Sequence, residues 1–108
     1  MSALENFEKM LAAGKDNALL RYSLGNEYLK AGRHMEACTQ FEAALGFDPK
    51  YSAAWKLLGR ARMELGHLAE AAEAYRQGIA VAEAKGDVQA AKEMTVFLNR
   101  ALKQLGEG

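Results

Sequence analysis

The sequence predicts an all-α domain built from antiparallel helix hairpins, and three observations carry that prediction. Ala, Leu, Glu, Lys and Met, all strong helix formers, dominate six runs of about 12 to 19 residues. The runs are separated by glycine-containing breakers: Gly14-Lys15-Asp16-Asn17, Ala31-Gly32-Arg33, Gly46-Phe47-Asp48-Pro49, Leu65-Gly66-His67 and Lys85-Gly86-Asp87. The chain also matches itself at small and apolar positions when shifted by 34 residues. No run alternates with period two and β-branched residues are few, so strands are not expected. With half of its 108 residues hydrophobic and its charges balanced, the chain is expected to form one compact domain with a real core.

Six helices are expected, near residues 2–13, 16–31, 34–46, 49–65, 68–84 and 87–105. In the first, Met10, Ala3, Phe7, Leu11 and Leu4 fall within an arc of about 120°. The second follows Gly14-Lys15 and has Asp16 as its expected cap. The third ends before Asp48-Pro49, which pairs a capping acceptor with proline at the expected first position of the fourth. The fifth follows Gly66-His67. Asp87 opens the sixth, whose apolar residues, Met94, Phe97, Leu98 and Leu102 among them, fill about 140°. Only Val88 and Val96 stray from that arc. Both terminal helices therefore read as parts of the fold.

The 34-residue shift aligns Leu24 with Leu58, Gly25 with Gly59, Gly32 with Gly66, Glu36 with Glu70 and Ala37 with Ala71. Phe41 meets Tyr75 and Leu45 meets Ile79; carried backwards, Ala3, Phe7, Glu8 and Leu11 meet Ala37, Phe41, Glu42 and Leu45. A glycine inside a helix costs about 1 kcal/mol relative to alanine, so Gly25 and Gly59 imply a packing requirement. The expectation is close approach to Ala37 and Ala71, with Phe41 and Tyr75 filling the space between successive hairpins. Gly32 and Gly66 stand at tight turns that favour positive φ.

The motifs Trp55-x-x-Leu58-Gly59, Ala71, Tyr75 and Leu24-Gly25-x-x-Tyr28, Gly32, Ala37, Phe41, Ala44, Pro49 resemble the tetratricopeptide repeat family. The resemblance implies a short right-handed solenoid. It divides a single domain, residues 1–108, into a half repeat at 2–17, repeats at 18–51 and 52–85, and a capping helix at 87–105. Glu83 stands where the family favours proline, so the fifth helix is expected to run on by about a turn. In the last helix Met94 takes the place of Trp55 and Leu98 that of the glycine.

Several function classes are excluded. Fourteen basic residues cancel fourteen acidic ones, which removes the global electrostatic case for nucleic acid or an anionic membrane as partner. No run approaches 18 apolar residues, and Met1-Ser2-Ala3-Leu4-Glu5-Asn6 lacks the pattern of a secretory signal. A single cysteine fits a reducing compartment, and the cytoplasm is the expected location. His34 and His67 lie beside turns with no nucleophile at a suggestive spacing, so no catalytic residue is assigned and no enzyme is expected. His34, Cys38 and Glu42 share a helical face but fall short of a metal site, and neither metal nor other cofactor is expected. Trp55, Phe7, Phe41 and Tyr75 read as core.

What remains is recognition. The resemblance implies a concave groove lined by the first helix of each hairpin, which grips a peptide. By position, that face carries Leu19, Tyr22, Asn26, Leu29 and Lys30, then Ala53, Lys56, Arg60, Met63 and Glu64. Lys92, Thr95 and Asn99 extend it if the last helix continues the groove. The binding set is Tyr22, Asn26, Leu29, Lys30, Lys56, Arg60 and Met63. Lys56 and Arg60 are one turn apart and favour an extended peptide with an acidic residue. Some family members clamp a terminal carboxylate on this face. Here Asn26 matches one clamp position while Tyr22 and Leu57 replace others, so the acidic C-termini of heat-shock chaperones are not the expected ligand. The chain is expected to be a monomer or weak homo-oligomer that binds a protein or peptide. The alternative is a self-associating structural or assembly subunit, with Phe47 or Val96 as contacts.

Overall fold

The computed structural model describes residues 1–106 as six helices: α1 (Ala3–Ala12), α2 (Ala18–Lys30), α3 (His34–Phe47), α4 (Ser52–Glu64), α5 (Leu68–Ala84) and α6 (Val88–Leu105). Each packs on its neighbours in sequence, and α4 also touches α2 and α6. The result is a stack of hairpins measuring 44 × 29 × 19 Å. No strand occurs among the described residues. Nor, among those residues, is any helix long and apolar enough to cross a membrane.

Local chemistry explains the ends. Ser2 and Glu5 form a capping box at α1: the Glu5 amide donates to Ser2 Oγ at 3.1 Å and the Ser2 amide to Glu5 Oε1 at 3.3 Å. Asp87 caps α6 as expected, accepting from the Ala90 amide. At α2 the cap is Asn17, not Asp16; Asn17 Oδ1 takes the Leu20 amide at 2.8 Å. Asp16 is engaged instead by the Arg21 guanidinium, which holds its carboxyl below the usual range.

The start of α4 is a second correction. Asp48-Pro49 does not open this helix, which begins at Ser52 after Tyr51. Proline forces the preceding residue out of helical geometry, and Asp48, at φ −143°, ends α3 instead. Its carboxylate accepts from the Lys50 amide, and Trp55 Nε1 donates to the Pro49 carbonyl at 2.9 Å, fixing the linking turn. As expected, α5 runs to Ala84, three residues past the equivalent of Phe47.

Gly32 and Gly66 hold φ of 76° and 75° at the hairpin turns. The amides that follow them, on Arg33 and His67, reach back to the Tyr28 and Arg62 carbonyls at 2.9 Å.

The interior glycines are required, but for a different neighbour than expected. A Cβ on Gly25 would lie 2.5 Å from Phe41 Cε1, and one on Gly59 would lie 2.5 Å from Tyr75 Cε1. The close contact is an aromatic ring lying on the bare helix backbone, not Ala37 or Ala71, although both alanines are fully buried. Gly78, at the position of Ala44 in the preceding hairpin, is a third such site: its Cβ would collide with Met94 Sδ and with Trp55 Cβ. There α5 is squeezed between α4 and α6.

The core forms two clusters. One centres on Leu24, Phe41 and Leu58, and the other on Tyr75 and Met94. Cys38 is buried in the first, and that burial pushes its thiol pKa up. Helix α1 has no fully buried residue. It is attached through half-buried Leu4, Phe7 and Leu11 and by a 2.9 Å hydrogen bond from the Tyr28 hydroxyl to Glu8.

Candidate functional site

Helices α4 and α6 run in the same direction, each antiparallel to the α5 that lies between them. Their facing sides form a trough of about 280 Å³. Lys56, Leu57, Arg60 and Met63 form one wall, Phe97 and Arg100 the other, and Tyr75 of α5 the floor. Spacings of three and four residues within each wall put these side chains on one helical face.

The floor is set by packing. The Tyr75 ring lies on Gly59, and its centroid is 5.7 Å from that of Phe97. Only 2% of the residue is exposed. Burial pushes its hydroxyl up to about 12, while the positive charges of Arg60 and Arg100 pull the other way. Both guanidiniums therefore act on the same phenol oxygen. Tyr75 lines the trough, and its hydroxyl, which makes no hydrogen bond among the described residues, keeps slight contact with solvent.

The cations divide into three kinds. Lys56 Nζ is paired with Glu93 of α6 at 2.9 Å, and this hydrogen bond, chief among the causes, holds the Glu93 carboxyl below its ordinary pKa. Arg62 lies outside the trough, donating to the Glu70 carbonyl of α5 at 3.0 Å and lying 3.8 Å from Glu42 of α3. Arg60 and Arg100 have no ion pair among the described residues. The Arg100 guanidinium lies 5.5 Å from the Phe97 ring centroid, held over the apolar wall.

Of the residues singled out from the sequence, Lys56, Arg60 and Met63 come together here. Tyr22 and Asn26 lie on α2, outside this trough; Tyr22 stacks on Tyr51 with centroids 4.9 Å apart. Leu29 is buried in the core. Lys30 is exposed and paired with Glu27 at 3.1 Å. The side of α6 that meets α4 carries Glu93, Phe97 and Arg100, whereas Lys92 and Thr95 line a separate recess with Val88, Val96 and Glu83. Sequence reasoning missed Arg100 and the Lys56–Glu93 pair. The available signal was the Glu93, Phe97, Arg100 spacing, one face of a single helix.

Comparison with known proteins agrees with this architecture. A family model for the tetratricopeptide repeat matches residues 22–88. A TPR repeat-containing protein of Pseudomonas aeruginosa is 55% identical over 97 residues, covering 90% of this chain and 92% of that protein. The heat-shock protein cognate co-chaperone sgt12 of Aspergillus fumigatus is 31% identical over 106 residues, 98% of this chain but 31% of the co-chaperone. Among solved structures, a Bordetella parapertussis protein superposes with a TM-score of 0.84 at 42% identity, covering 96% of this chain and 90% of that one. The Sgt2 TPR domain of A. fumigatus gives 0.82 at 30% identity, covering 98% and 70%. With the repeated glycines, the ring contacts and the stacked hairpins, these matches establish that the chain belongs to the tetratricopeptide repeat family.

Proposed function

We propose that the chain is a non-catalytic protein-interaction module that binds an extended segment of another protein on the face formed by α2, α4 and α6. The observation that carries this reading is the α4–α6 trough, where an apolar lining meets two arginines that have no ion pair among the described residues. Such a site combines area for burial with a few placed polar groups. Tyr22 and Asn26 continue the face onto α2. Membership of a family of interaction modules supports the reading, and so does the relation to a co-chaperone. Tyr22 and Leu57 at clamp positions argue for a ligand other than a chaperone C-terminus. The cytoplasm fits a single, buried, reduced cysteine.

Affinity capture from the native lysate tests this, comparing the natural protein with Arg60→Glu. Loss of the same partners from the variant, with its melting temperature kept, is the expected result; identical partners in both overturn the reading. A second reading, self-association, is favoured by exposed Val88 and Val96 beside the outer recess of α6. Sedimentation separates the two: a monomer at working concentration leaves only the first.

A further inference from the structure

We infer that the α4–α6 trough is a subsite for an aspartate or glutamate side chain next to a bulky apolar residue, within a chain that passes through, the acid being held by Arg60 and Arg100. This rests on the groove reading above and names its ligand. Three features point to an acid. Arg60 and Arg100 approach from opposite walls and have no acidic partner among the described residues. Tyr75 lines the floor between these walls, and its hydroxyl, which makes no hydrogen bond among the described residues, is a third donor at the site. The neighbouring cation already holds a carboxylate: Lys56 binds Glu93 across the gap between the same two helices. Guanidiniums matched to carboxylates give strong, oriented, charge-assisted hydrogen bonds, and these strengthen where apolar walls exclude water.

The apolar half of the ligand follows from the rest of the lining. Leu57, Met63 and Phe97 are half-buried side chains facing the same space, and a thioether and a ring edge adapt to a branched or linear aliphatic group. The choice of an internal acid over a chain terminus follows from the shape. Every lining residue comes from α4, α5 or α6, and none from the turns at 48–51, 65–67 or 85–87. The trough has two walls and a floor, no turn of the chain forms an end wall, and the Lys56–Glu93 pair that bridges the walls is a side-chain contact with both partners 38–40% exposed. Glu93 then sets selectivity: by occupying Lys56 it leaves two cations, not three, for the ligand.

The test uses acetylated and amidated octapeptides of Gly and Ser around a central Leu-Glu-Leu, titrated by calorimetry into the full-length protein. The expected result is saturable binding that weakens about tenfold or more with Leu-Gln-Leu, and equally with Arg100→Gln protein. Binding weakens with rising salt. Glu93→Gln protein, in which Lys56 is released, binds the Leu-Glu-Leu peptide more tightly. Melting temperatures of both variants identify any loss due to unfolding, and Arg100→Lys serves as a second, milder variant. Unchanged affinity in Arg100→Gln overturns the subsite. A free C-terminal carboxylate on the Gln peptide restoring full affinity overturns the choice of an internal acid. If lysate partners are lost with Arg60→Glu but not with Arg100→Gln, the groove reading stands and this inference falls. If neither capped peptides nor lysate partners bind the natural protein, both fall together.

Discussion

Glycine-to-alanine substitution gives opposite results at two helical positions of this protein, and the sign at each follows from what a methyl group meets. At Gly59 the new Cβ would lie 2.5 Å from Tyr75 Cε1, 2.7 Å from Cζ and 2.8 Å from Cδ1. That ring cannot swing away: 2% of the residue is exposed, and Phe97 backs it. Relief requires α4 and α5 to separate by about 1 Å, loosening every contact around the ring. With the ring fixed, the cost falls in the upper part of the range for overpacking, about 2–3 kcal/mol. The better helix propensity of alanine returns about 1 kcal/mol, leaving a net loss of roughly 1–2 kcal/mol. At Gly46, in the last turn of α3, φ is not positive and nothing lies within 4 Å of a Cβ. Alanine there stabilises by about 0.4–1 kcal/mol, largely by restricting the unfolded chain. Thermal unfolding followed by circular dichroism at the helical band reads both. At about 4–8 °C per kcal/mol, Gly59→Ala melts roughly 5–15 °C below the parent while Gly46→Ala melts above it. A Gly59→Ala protein as stable as the parent would show that the ring is not seated on the helix backbone and would refute the packing argument.

Deleting residues 87–108 removes Met94, Phe97 and Leu98 from the second core cluster and uncovers Tyr75. The expected product aggregates or melts without a cooperative transition; a soluble 1–86 fragment with a sharp melt contradicts this. Tyr75 makes stability fall at high pH. Its hydroxyl is raised from 10.0 to about 12, so the folded state keeps a proton that the unfolded state releases. Stability is therefore full below pH 10 and declines between 10 and 12, and in urea titrations Tyr75→Phe shows a shallower decline than the parent. Cys38 is buried with a raised pKa, so a thiol reagent at neutral pH labels it far more slowly in native buffer than in denaturant; equal rates contradict its placement.

The fold was legible because its signals are local. Breaker tripeptides, capping residues and a periodic apolar face each act within one or two turns, so six helices follow from six runs. The 34-residue shift then supplied the stacking, since glycine in a helix interior has few explanations. The errors share a cause. Whether Gly59 meets Ala71 or the Tyr75 ring depends on the crossing of two helices, which no single helix encodes. Whether Asp48-Pro49 opens a helix or closes one depends on which side the proline restriction falls. The site was half legible: Lys56, Arg60 and Met63 share a face of α4, and that is visible in their spacing. Arg100 and Glu93 were not found, because the rotation of α6 is set by Met94 settling against Gly78, a contact between residues on different helices. The same rotation turns Lys92 and Thr95 out of the trough.

The weak attachment of α1 gives the stack a direction. With no fully buried side chain and one hydroxyl–carboxylate bond to α2, this helix opens at a small fraction of the free energy needed to unfold the rest. Its amides exchange with solvent hydrogen first, while those around Leu24, Leu58 and Tyr75 wait for global unfolding. Limited proteolysis is expected to follow the same gradient, because the exposed Gly14–Asn17 connection is freed to enter a protease once α1 undocks. The molecule therefore unravels from its N-terminal end, and the α4–α6 trough lies in the part that lets go last.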